Sequence, residues 1–116
     1  MNKSILTSIK KLLGLAENYE AFDADIILHI NTVFMVLHQL GVGPDEGFSI
    51  TSKKDKWDDY VDSDENLEAL KTYIYLKVKL VFDPPQNGAT MEALQNSIKE
   101  YEWRLNVQAE SNEEGV

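Results

Sequence analysis

The sequence predicts an all-α chain, a small bundle of about four helices with one long loop between the second and the third. Three observations predict it. Apolar residues recur with the 3.6-residue period of a helix in four separate stretches. Glycines and prolines fall between those stretches, where breakers belong. The chain has 116 residues, 43% hydrophobic and 27% charged, the size and balance of one globular domain. Residues 1–109 are read as that domain, and the acidic, polar stretch 110–116 as a flexible tail.

The first helix is expected from about Ser4 to Leu13, where Ile5, Leu6, Ile9, Leu12 and Leu13 make one stripe. Gly14 stands where a helix-ending glycine belongs, and Lys10 and Lys11 occupy the favourable negative end of the helix dipole. The second helix follows Asp23, taken as its N-cap, and ends at Leu40 before Gly41. Its apolar residues, Ile26, Ile27, Ile30, Val33, Phe34, Leu37 and Leu40, are widened by Met35 and Val36. Such a broad apolar surface belongs to a helix that is central or is packed against a neighbour as well.

Between Gly41 and Asp62 the periodicity disappears. Phe48–Thr51 reads as a short strand or an extended arm, and Trp57 and Tyr60 stand among aspartates. Loops of about twenty residues are uncommon in compact domains and are usually functional or disordered, and the large apolar residues here argue against disorder. The third helix is expected to start near Ser63, with Asp64 and Glu65 in its first turn, and to stop at Asp83-Pro84-Pro85. After Gln86-Asn87-Gly88 the fourth runs from about Thr90 to Val107, with Met91, Leu94, Ile98, Tyr101 and Leu105 as a narrow seam. Trp103 falls off that seam.

Charge and composition narrow the function. Twenty acidic residues against eleven basic ones give a net charge of −9. Arg104 is the sole arginine, so a grip on nucleic-acid phosphates is not expected. The acidic surface with a few basic spots suits head-to-tail contact between copies. There are no cysteines, hence no disulfides, thiolate nucleophiles or iron–sulfur ligands. No stretch reads as a membrane span or a signal peptide.

The motifs of common catalysts fail one by one. His29 and His38 are nine residues apart and point to opposite sides of their helix, so they share neither a metal nor a proton. Asp25 and His29 face together, as a surface ion pair does. Asp62, Asp64 and Asn66 match the opening of a calcium loop, but Leu67 and Tyr73 stand where its glycine and glutamate belong. Gly41-Val-Gly43-Pro44 lacks the lysine and the preceding strand of a phosphate loop. The chain is read as no enzyme, with no cofactor and no metal. Phe34, Tyr73 and Phe82 are assigned to the core. Phe48, Ile50, Trp57 and Tyr60 lie outside any periodic face and are the candidates for contact with a partner or another copy, the alternative being that they fold back on the domain. Trp103 joins them, while Arg104 is paired with Glu100.

The stretch from Lys71 to Pro85, the segment Glu102-Trp-Arg-Leu-Asn106, the opening Ser4–Gly14 and the middle Gly41–Phe48 together resemble the head–tail connector (adaptor, or head-completion) proteins of long-tailed phages and prophages of Gram-positive bacteria. The resemblance implies a structural virion protein at the head–tail junction, present in host cytoplasm during assembly. It implies a homo-oligomeric ring of about a dozen copies that touches the portal protein on one side and a tail-side completion protein on the other. DNA would pass through its channel without specific binding, and an acidic lining would let it slide. The acidic tail differs from the longer carboxy-terminal extensions of such families. A rival reading is an acidic DNA mimic that inhibits a host nucleic-acid-binding enzyme, although the acids here cluster at the loop and at helix starts.

Overall fold

In the computed structural model, which describes residues 3–62 and 66–114, the first helix, α1 (Ile5–Leu12), starts where the Ser4 hydroxyl accepts the Thr7 N–H at 3.2 Å. It ends in a Schellman turn: Gly14 takes a φ of 84°, its N–H donates to Lys11 O and the Leu15 N–H donates to Lys10 O. The second helix, α2 (Asp23–Gln39), ends the same way. Gly41 has a φ of 86°, and the N–H groups of Gly41 and Val42 return to His38 O and Leu37 O. Asp23 is not the N-cap that the sequence predicted. Phe22 holds that position, and the Asp23 carboxylate lies 2.8 Å from the buried Lys10 ammonium instead.

Three further helices follow among the described residues: α3 (Trp57–Tyr60), α4 (Leu67–Phe82) and α5 (Gly88–Glu114). The bundle is all-α as expected, and the short α3 is an addition within the long loop. Helix α4 begins at Leu67, later than predicted, behind Asn66 with a φ of 65°. The acids assigned to its first turn, Asp64 and Glu65, lie outside the described residues. Helix α5 starts at Gly88, because the Asn87 side chain accepts the N–H groups of Ala89 and Thr90. It runs to Glu114, so the backbone of 110–114 is helical where the seam predicted an end at Val107. There the Asn106 amide donates to Leu40 O at 3.3 Å, tying α5 to the end of α2 beyond the last seam residue.

Helix α4 is the hub of the packing and touches α1, α2 and α5. Tyr73 and Lys77 on one side meet α5 through Glu102, whereas Phe82, half a turn round, meets Phe22 at the start of α2. Helices α2 and α5 therefore flank α4 in a slab of 44 × 36 × 20 Å. The core holds Ile5, Leu6 and Ile9 of α1, Ile26, Ile30, Phe34 and Leu37 of α2, Leu70, Tyr73, Ile74 and Val78 of α4, and Leu94, Ile98 and Leu105 of α5. Phe34 and Tyr73 are core residues as read from the sequence, and Phe82 is half-buried at the rim. Phe48–Thr51 forms no strand, and the described residues hold only an isolated antiparallel bridge between Ser4 and Lys56.

Candidate functional site

The four loop residues singled out from the sequence come together, but on the inside. Ile50, Trp57 and Tyr60 are buried in this chain's own core, and Phe48 is half-buried against it. The loop folds back on the domain, the alternative that the sequence left open, and the first three side chains are not displayed on the surface of the single chain. The cause is polar. The Asn31 side chain on α2 accepts the Ile50 N–H at 2.7 Å and donates to Ile50 O at 2.9 Å, as a neighbouring strand would. One Asp55 carboxylate oxygen accepts the N–H groups of Thr51 and Ser52, closing a turn. The chain entering α1 pairs with the same segment, the Ile5 N–H donating to Asp55 O and the Trp57 N–H to Lys3 O.

These bonds seat the aromatic side chains. The Trp57 indole N–H donates to Ser8 Oγ at 3.1 Å, and the Lys71 ammonium lies 5.5 Å from the indole centroid. Phe34, Phe48 and Tyr60 form a triangle with centroid separations of 4.6–5.1 Å. Gly43 lies over Tyr60 so closely that a Cβ there would sit 2.7 Å from the ring. The Tyr60 hydroxyl is buried without a hydrogen-bond partner, and burial pushes its pKa well above the usual tyrosine value. Burial also raises Tyr73, helped by its 2.7 Å hydrogen bond to Glu102 and by the Glu102 charge.

Two residues that matter here were not singled out from the sequence. Asn31, a lone amide between Ile30 and Val33, is the clamp on the loop. Lys10 is buried, and its ammonium also donates to Glu17 O and Tyr19 O, fixing the segment between α1 and α2. The available signal was polarity beside an apolar stripe, since a buried polar group must find partners.

The outer surface carries the remaining candidate. Trp103 is 66% exposed on α5, beside the Arg104–Glu100 pair, whose N–O distance of 2.6 Å bears out the predicted pairing. Asp25 and His29 form no ion pair among the described residues. Other large apolar side chains are exposed: Leu28 and Met35 on α2, Val107 on α5, and Tyr19 and Phe22 in an edge-to-face chain with Phe82. A groove of about 520 Å³ between α1 and α4 is lined by Lys3, Thr7, Lys11, Leu12, Glu17 and Lys71 among others. The described residues contain no group of three His, Cys, Asp or Glu arranged to hold a metal ion, and no helix long and apolar enough to cross a membrane. What this geometry offers is contact: a rigid helical slab whose loop aromatics are used internally and whose outer helices display apolar side chains.

Compared with known protein families, the chain matches a family described as phage connector protein over residues 5–112. No curated protein and no solved structure matches the chain.

Proposed function

The chain belongs to the phage connector protein family, a structural component of the virion, and from that premise we propose that it is a subunit of the ring joining portal to tail. The match over residues 5–112 carries this reading, since it spans all five helices but for the last residues of α5. The surface supports it independently. A net charge of −9 disfavours a grip on DNA, so a channel walled by such subunits lets a genome slide. The exposed Leu28, Met35, Trp103 and Val107 are what a protein that associates with copies of itself displays. The subunit works by geometry, without chemistry: contacts between about a dozen copies close the ring, and its two faces meet the portal protein and a tail-side completion protein.

The test is light-scattering mass across a concentration series, beside negative-stain images of the purified protein with and without portal. Rings with a channel as wide as a DNA duplex are expected. A protein that stays monomeric at every concentration and does not bind portal would refute the reading. Competition with DNA for a host enzyme would then be the result to seek.

A further inference from the structure

Resting on the reading of the chain as a self-associating subunit, we propose which surfaces meet. The outward stripe of α2 in one copy seats on the outward stripe of α5 in the next. On α2 the core-facing residues are Ile26, Ile30, Val33 and Leu37. At about 100° per residue, Leu28 and Met35 fall on the opposite side of that helix, and they are 63% and 57% exposed. On α5, Leu94, Ile98 and Leu105 face inward, while Trp103 and Val107 lie on the far side, 66% and 38% exposed. Water solvates the back of a surface helix best when that back is polar. A helix apolar on two opposite sides is built to be covered on both.

The placement of the two stripes selects the occupant. Because α2 and α5 meet α4 on different sides and each stripe faces away from its own helix's core residues, the two stripes are separate surfaces of one copy. A closed ring requires two different, mutually complementary surfaces on each copy. An α2–α2 or an α5–α5 pair alone would leave the other stripe bare and would stop at two copies. The mixed pairing covers both stripes with a single kind of contact and continues, as a cyclic ring requires. The charges fit it as well. Exposed Asp25 lies one turn before Leu28, and exposed Lys99 lies one turn before Trp103. With the helices laid parallel, Asp25 meets Lys99 while Leu28 and Met35 meet Trp103 and Val107. The two runs match in length, about 15 Å from Asp25 to Met35 and about 12 Å from Lys99 to Val107.

The cysteine-free sequence permits a direct test. Thr32→Cys is placed between Leu28 and Met35, Val107→Cys on the other stripe, and thiols are joined with a mild oxidant. Mixing the two single variants is expected to give a cross-linked heterodimer, neither alone should cross-link, and the double variant should give a ladder. In parallel, Met35→Glu and Trp103→Glu should each lower self-association at least tenfold with helix content unchanged. Mixed together, they should stop at a dimer, because each still offers one intact stripe. Homodimers from a single cysteine variant, or full association of both glutamate variants while the unaltered chain assembles, would overturn the pairing and leave the ring reading standing. An unaltered chain that neither associates nor cross-links would remove the self-associating reading itself.

Discussion

Replacing Asn31 by alanine tests whether one side chain holds the long loop on the domain. The substitution deletes two hydrogen bonds, Ile50 N–H to Asn31 Oδ1 at 2.7 Å and Asn31 Nδ2 to Ile50 O at 2.9 Å. Each is worth about 1 kcal/mol net, and an amide left unpaired in a buried setting adds about 1–2 kcal/mol more. Ile50 is almost fully buried and Asn31 half-buried, so water replaces the lost bonds poorly. The sum is a loss of about 2–4 kcal/mol, a large fraction of the stability of an ordinary domain. The loss should be global, because Ile50, Trp57 and Tyr60 belong to the core that the bond secures. Asn31→Asp keeps the acceptor for the Ile50 N–H, loses the donor and turns a carboxylate toward a carbonyl, so it should fall between the two. Urea unfolding followed by tryptophan fluorescence measures both, with an unchanged denaturant slope if the transition stays two-state. Tryptic cleavage at Lys53 and Lys54 should quicken in step. An Asn31→Ala protein within about 0.5 kcal/mol of the unaltered chain, the resolution of such comparisons, and cut no faster would refute the clamp.

Lys10→Met strands the Asp23 carboxylate and two carbonyls, and should cost about 3 kcal/mol by thermal or urea unfolding. Adding Asp23→Leu should recover part of that, since the orphaned charge goes with it. Tyr60→Phe removes a buried hydroxyl with no partner, so its urea midpoint should equal or exceed that of the unaltered protein. Gly43→Ala should cost about 2–3 kcal/mol, because its φ of 92° suits glycine and the added methyl meets the Tyr60 ring. At alkaline pH the folded state keeps Tyr60 and Tyr73 protonated after they ionise in the unfolded chain. Their contribution is complete below pH of about 10 and is lost above it, at roughly 1.4 kcal/mol per pH unit for each tyrosine. Tyr73→Phe should remove its share of that slope in urea titrations between pH 9 and 11.

The helices could be read in the sequence because their causes are local. Ile5, Leu6 and Ile9 form a stripe within one segment, and Gly14 and Gly41 end their helices by a φ that few other residues adopt. The fate of the loop could not be read, because it depends on pairs distant along the chain. Asn31 and Ile50 are 19 residues apart, and Trp57 and Ser8 are 49 apart. Lack of periodicity made Ile50, Trp57 and Tyr60 look free, yet periodicity reports only packing that a regular helix or strand organises. A loop fixed by backbone clamps buries side chains without any period. The length of α5 escaped for a similar reason. Past Leu105 its seam carries no apolar signal, while Asn106 and Ala109 meet the end of α2 around Leu40 and Gly41.

That division of labour on α2 has a consequence for assembly. One flank of the helix holds the loop through Asn31 and Phe34, and the flank beside it, one turn before and one turn after Asn31, displays Leu28 and Met35. Had the loop aromatics been the docking elements, association would have required ordering a twenty-residue segment, at a cost of about 0.5–1.5 kcal/mol for each immobilised side chain. Stripes on two rigid helices avoid most of that cost, and the angle between them is set by the packing of α2 and α5 on α4. In a head-to-tail assembly that angle fixes the rotation from one copy to the next, and hence the number of copies that closes. Changes inside the loop and changes on the stripes should therefore separate cleanly. Asn31→Ala should lower the urea midpoint while particles that do form keep their size. Met35→Glu should leave the midpoint almost untouched and abolish the particles. A stripe variant that destabilised the monomer as much as Asn31→Ala does would show that the two sides of α2 are not independent, and the rigid-face account would fail.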